Sequence, residues 1–348
     1  MKKVLACLMA GALFLVGCSS NSSSSNSNEL VISTWGLNAD IIREDVYAPF
    51  EEENDCTIVT DEGGTSDRYT KFSNNPDASI DIIELSQAEA QKGYAADLFE
   101  KLDYSKIENA SDLIDAAMQL RDENGYGVPY TLNSIGIIYD PDQVGFEITE
   151  WNDLWDSRLQ GKISIPEITT TFGPAMVHIA SDYKGVDIKS DDGAAAFEAL
   201  AELKPNIVKT YSKSSDLTNM FSAGEISVAV VADYGVSQIQ NANENCVYVV
   251  PASGTYANFN TIEVNKNSEN KELAYKYISW RLSADLQYKD AVSDLNEAPT
   301  NKNVVLTEEE AKNKTYGDIA DRAKVIDFTF VNPLLESWVD QWTRILNS

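Results

Sequence analysis

The sequence is short of histidine, cysteine and positive charge, and it has no apolar run long enough to cross a membrane. Histidine occurs once, as His178, and cysteine four times. One imidazole cannot build a multi-histidine metal site, and it leaves a single candidate base for a Ser-His-Asp arrangement. That base sits in Ala175-Met176-Val177-His178-Ile179-Ala180, an apolar helical stretch where a hydrogen-bonded packing histidine is the simpler reading. Lysine and arginine total 27 against 55 Asp and Glu, for a formal charge of −28. Such a chain is a poor partner for nucleic acid, whose phosphates demand cationic side chains, and for anionic lipid. The acid serves solubility and favours cationic solutes at long range. The phosphate loop, the dinucleotide-binding glycine pattern and the Gly-x-Ser-x-Gly elbow are all missing. Carboxylate pairs are too easily found among so many acids to single out a glycosidase site. No enzymatic activity, metal or cofactor is expected.

The N-terminus carries the most specific signal. Met1-Lys2-Lys3 is a short basic start, and residues 4–16 are apolar or small. That pattern is an export signal, too short for a relaxed span of roughly 20 residues. The run closes on Leu15-Val16-Gly17-Cys18, followed by Ser19-Ser20-Asn21. It resembles the bacterial lipobox, which implies removal of residues 1–17 and acylation of Cys18 as a lipid anchor. Loss of Lys2 and Lys3 then takes the charge from −28 to −30. Residues 19–28 are only Ser and Asn, so residues 18–28 read as a flexible tether. The rest of the chain is placed outside the cytoplasm, at the cell surface or in a periplasm. Cys7 leaves with the leader. Cys56 and Cys246 begin apolar, β-rich runs and read as two separate buried strand thiols rather than a disulfide.

Apolar patterning beyond the tether alternates between strand and helix. Residues 29–36, 57–60 and 80–85 read as strands. Residues 38–53 read as a helix with Ile41, Ile42, Val46 and Phe50 on one face. A second helix spans residues 66–72, with Ser66 as its N-cap. Strands follow at 134–139, 162–166, 226–231 and 247–250, with a turn at Asp140-Pro141-Asp142 and a short helical piece at 151–155. Further helices are read at 172–183, 193–203, 271–282 and 333–346, the last two with apolar stripes of Leu273, Tyr277, Ile278, Leu282 and of Leu334, Leu335, Trp338, Trp342, Ile345. The tryptophans of the last stripe read as core. Strands separated by helices predict βαβ crossovers and a mainly parallel sheet in an α/β fold.

Ten fragments then fall in one order. They include Gly127-Val128-Pro129-Tyr130-Thr131, Trp151-Asn152-Asp153-Leu154-Trp155, Leu159-Gln160-Gly161-Lys162-Ile163, Phe221-Ser222-Ala223-Gly224-Glu225, Val250-Pro251-Ala252-Ser253-Gly254 and Pro299-Thr300-Asn301. Together they resemble the extracellular solute-binding proteins of ABC importers, within them the spermidine/putrescine type. The resemblance implies a two-lobed periplasmic-binding-protein-like fold of type II with its ligand cleft between the lobes. Lobe one would hold residues 29–132 and 256–300, and lobe two residues 133–255 and 301–348. It implies a monomer that closes on a small amine and delivers it, unaltered, to membrane permease subunits. A secreted enzyme, or a sensor on the same two lobes, is the competing reading.

The same resemblance places the cleft residues. Trp35 follows the first strand where an aromatic would hold a cation or a methylene chain, and Asn38 and Tyr130 belong with it. Ser86 and Gln87 end the third strand. Thr170, Thr171 and Phe172 open a helix where polyamine binders carry carboxylates, and hydroxyls with free N–H groups at a helix start suit an anion. Asp233 and Tyr234 follow a strand, with Asp233 as the one acid for an amine. Asn258 and Asn260 lie in the second crossover, Asn260 where an acid is usual. Two ammonium groups would enter such a neutral lining poorly compensated. An amino-acid-like or opine-like zwitterion therefore stands beside a polyamine as the expected solute.

Overall fold

The computed structural model describes residues 28–124 and 127–346. The expected leader, the expected anchor residue Cys18 and nearly all of the expected tether lie outside the described residues. Among those described, no helix is long and apolar enough to cross a membrane.

The described residues form eleven strands: β1 Glu29–Thr34, β2 Thr57–Glu62, β3 Ile82–Ser86, β4 Val128–Tyr139, β5 Ile163–Pro166, β6 Ile207–Tyr211, β7 Val228–Ala232, β8 Val247–Val249, β9 Thr255–Val264, β10 Ala298–Pro299 and β11 Ala323–Val325. The path runs β2-β1-β3-β9-β4-β7-β5-β6. β1 pairs in parallel with β2 and β3, and β5 with β6 and β7, so each end of the path is built from βαβ units. The centre is not. β9 runs antiparallel to β3 and β4, and β4 antiparallel to β7 and β8. The sheet is therefore mixed rather than mainly parallel, because two long strands cross the molecule in opposite directions.

The crossing strands divide the protein into two lobes. β4 gives Leu132 to a core with Leu30, Ile82, Phe259 and Tyr277, and Ile135 to a second core with Ile163, Met176, Leu200 and Val230. β9 likewise gives Tyr256 to the second core and Ala257 to the first. The C-terminal helix, Phe328–Leu346, seals the second core with Trp338 and Trp342, both fully buried. It begins five residues before the expected start and carries Pro333 inside it.

Other departures have local causes. The helix expected over 38–53 is continuous from Ala39 to Asn54, but Arg43–Tyr47 is π-helical. Pro49 lacks an N–H and crowds the carbonyl four residues back, and a widened turn relieves it. The helix Thr65–Asn74 is capped by Gly64, not Ser66, whose hydroxyl instead donates to Glu89. Asp140 does not close a turn. It caps the short helix Pro141–Val144 by accepting from the N–H groups of Asp142 and Gln143. Cys56 is half-buried, Cys246 is buried, and both are free. His178 is buried against Tyr256 and Trp338, but its Nδ1 has no hydrogen-bond partner. The satisfied histidine expected from the sequence is thus an unsatisfied one, and burial pushes its pKa down to about 4.

Candidate functional site

A cleft lies where the lobes meet. Strands supply its floor: Thr34 at the end of β1 with Trp35 just after it, Glu84 from β3, Tyr130 and Asn133 from β4, Asn258 and Asn260 from β9. The opposite wall is Thr171, Phe172 and Tyr234. An outer chamber shares Trp35, Leu37, Thr171, Phe172 and Tyr234 with it. Ligand sites at the carboxyl ends of strands are the usual consequence of such sheets.

Eight of the residues expected from the sequence line the inner cleft: Trp35, Asn38, Tyr130, Thr171, Phe172, Tyr234, Asn258 and Asn260. Thr170 lines only the outer chamber, and its hydroxyl donates to the carbonyl of Glu167 at 2.7 Å. It is spent on shaping the loop rather than offered to an anion. That loop is tight. A side chain at Gly173 would put a Cβ 2.3 Å from the Glu167 carbonyl oxygen.

Ser86, Gln87 and Asp233 do not line the cleft. The Ser86 hydroxyl donates to Glu89 at 2.6 Å. Gln87 braces β9: its N–H donates to Asn258 Oδ1, and its Oε1 accepts from the N–H of Phe259. Asp233 is buried behind Asn133. One carboxylate oxygen accepts from Asn133 Nδ2 (3.1 Å) and the Tyr234 N–H (2.9 Å), and the other from the N–H and hydroxyl of Thr315. Asn296 Nδ2 also donates to its backbone carbonyl. Asp233 therefore ties β4, the chain after β7, the Asn296 loop and the segment at Thr315 into one knot at the lobe junction. Burial raises its pKa to about 6 in spite of those donors.

Three of the four cleft asparagines form a directed row. Asn258 Nδ2 donates to Asn260 Oδ1 at 2.8 Å, Asn260 Nδ2 to Asn133 Oδ1 at 3.3 Å, and Asn133 Nδ2 to Asp233. Each amide is oriented by the next, and the carboxylate at the end polarises the row.

The charged part of the site was not legible as such. Glu84, Glu297 and Arg281 line the cleft, so the lining is not neutral. Glu84 accepts from the Thr34 hydroxyl at 2.6 Å and from Tyr277 at 3.1 Å. Arg281 donates to Asp290 at 2.7 Å and to Glu297 at 3.0 Å, with its guanidinium 4.4 Å above the Tyr130 ring. Burial opposes the Arg281 charge, but Glu297 and Asp290 outweigh it and hold the guanidinium protonated. Two signals for these residues existed. Glu84 interrupts an otherwise apolar strand, and Arg281 lies one turn beyond Tyr277 on the buried face of the helix Lys271–Arg281. Trp35 carries a second guanidinium, that of buried Arg68, 4.6 Å from its ring centre.

Comparison with known proteins places this geometry among relatives. The family model for bacterial extracellular solute-binding protein matches residues 45–317. The putrescine-binding periplasmic protein PotF of Escherichia coli is 28% identical over 306 residues, covering 82% of this chain and 81% of that protein. The spermidine/putrescine-binding periplasmic protein of the same organism is 23% identical over 291 residues, covering 82% and 81%. A crystal structure of an ABC transporter protein from Clostridium perfringens is 55% identical with a TM-score of 0.80, covering 91% of this chain and all of that one.

Proposed function

Since the chain belongs to the family of bacterial extracellular solute-binding proteins, we propose that it captures a small amine outside the cell and hands it, unaltered, to the permease of an ABC importer. The relatives named above are transport proteins, not enzymes. The amine class covers polyamines such as putrescine and spermidine, which the relatives' names carry, and amino-acid-like zwitterions. The observation that carries this reading is the cleft itself: Trp35 on a floor with three amides and two carboxylates, and Tyr234 on the opposite wall. Aromatic faces and carboxylates are what an ammonium group and its methylene chain require. The amides of the floor and the hydroxyl of Thr171 offer donors to a solute carboxylate, whereas Arg281 is already engaged by Asp290 and Glu297.

In this reading lobe one is residues 29–132 with 256–300, and lobe two is residues 133–255 with 301–348. β4, β9 and the segment around Thr315 are the hinge. Closure brings Thr171, Phe172 and Tyr234 onto solute held by the floor, and the solute biases closure by its added contacts in the closed form. Cys18, acylated, holds the protein at the membrane surface, and the protein acts as a monomer.

Thermal melting against putrescine, spermidine, γ-aminobutyrate and standard amino acids tests the solute class. A true ligand at about 100 times its dissociation constant adds about 2.7 kcal/mol. Failure of every amine to shift the melt would sink the amine assignment. Release of the protein from membranes by Cys18→Ser, with loss of metabolic lipid label, tests the anchor.

A further inference from the structure

The charges at the cleft floor do not balance, and the imbalance is one. Glu84, Asp290 and Glu297 are carboxylates, and Arg281 and Arg68 are the guanidinium groups among them. Arg68 donates only to the carbonyls of Gly63 and Ser33. Of the three acids, Glu84 and Asp290 are buried, whereas the side chain of Glu297 is 21% exposed and faces the cleft. One Glu297 oxygen accepts from Arg281, and no donor among the described residues reaches the other. Arg281 thus fixes the rotamer of Glu297 while its second bond goes to Asp290, which leaves Glu297 with an open acceptor and a surplus negative charge.

The other cleft carboxylate, Glu84, is buried and already accepts from the hydroxyls of Thr34 and Tyr277, and the rest of the inner cleft offers no further anion. Its far wall is Thr171, Phe172 and Tyr234, with Asn133 between. Asp233 sits behind that wall with its donors already in place. Trp35 has a guanidinium against its ring, so its π-density is partly engaged and a second cation gains less there. Further carboxylates appear only outside, where Glu62 and Asp67 line the outer chamber with Lys213.

We propose that Glu297, held by Arg281, receives the one ammonium group the site can neutralise, so that the cleft selects a monoamine or an amino-acid-like zwitterion over a diamine. The uncharged remainder of the solute lies along Trp35 and Tyr234, and a carboxylate, where present, meets the amide row and the hydroxyl of Thr171. This rests on the amine reading above.

Isothermal titration of the chain from residue 29 onward, which holds every described strand and helix, separates the two. The probes are 4-amino-1-butanol, γ-aminobutyrate, putrescine and spermidine, against wild type, E297Q and E297D. One of the first two should bind at least about tenfold tighter than either polyamine. E297Q should weaken that ligand by at least about tenfold, and E297D by less, because it keeps the charge. Comparing the unliganded melts guards against a folding defect, with E297D as the charge-retaining control. Tighter binding of putrescine or spermidine would overturn the selectivity and point to Glu62 or Asp67 for the second ammonium. Unchanged binding by E297Q would overturn the role of Glu297 alone. If wild type binds none of these probes, the amine reading falls as well.

Discussion

Replacing Asp233 by Asn removes a titrating group from the junction of the lobes without removing its shape. The Asp233 carboxyl is 1% exposed, and burial lifts its pKa from 3.8 to about 6. At 1.36 kcal/mol per tenfold change in proton affinity, ionising it in the folded protein costs about 3 kcal/mol more than in the unfolded chain. The sign follows from proton counting. Between about pH 4 and about pH 6 the folded state keeps a proton that the unfolded state has lost, so stability falls as pH rises through that window. Asp233→Asn cannot titrate. The stability of the variant relative to wild type should therefore improve by about 3 kcal/mol between about pH 4 and about pH 7. For a chain of this size that is about 4 °C in melting midpoint. A constant penalty of about 1–3 kcal/mol is expected on top, because an amide NH₂ placed at Oδ2 leaves the Thr315 N–H facing a donor. Urea unfolding of both proteins across the pH range separates the slope from the offset. A stability difference that does not change with pH would refute the account of Asp233 as a buried, strained anion.

His178 gives the opposite slope. Its pKa is lowered to about 4, first by burial, so the unfolded state binds the proton more readily, and about 3 kcal/mol of stability is lost as pH falls from about 6.5 to about 4. His178→Leu should abolish that loss, read by urea unfolding at each pH, and equal acid sensitivity in both proteins would count against it. Gly173→Ala should destabilise by about 1–3 kcal/mol and weaken solute binding, since its Cβ would meet backbone oxygens of Glu167 and Ile168 at 2.3 and 2.4 Å. Wild-type stability and affinity in that variant would show that the Thr169 to Phe172 loop yields freely.

Much of the fold was legible because strands and helices here obey their local periods. The strand at Ile82–Ser86 and the helix at Gly173–Lys184 stand close to where the apolar pattern puts them. β9 was missed as a strand, because Thr255–Val264 mixes Asn258, Asn260 and Thr261 with apolar residues and is buried on both faces. Those polar residues are satisfied by neighbours far away in sequence, Gln87, Asn133 and Leu85. The cleft aromatics and amides were legible from resemblance. The acids were not. Asp233 looked like a ligand group because it follows a strand, yet Thr315 and Asn133 close over it. Glu84 and Arg281 looked like interruptions of apolar faces, and became cleft residues only when β3 and the helix Lys271–Arg281 met.

The sequence by itself determined the acidic composition, the α/β alternation and the membership that the ordered fragments imply. These are properties of local composition and order along the chain. Only the tertiary structure decided which charges face the solute. A carboxylate's role depends on what reaches it through space: Asn133 and Thr315, far apart in the chain, close over Asp233, whereas Glu297 meets Arg281 on one oxygen and faces the cleft.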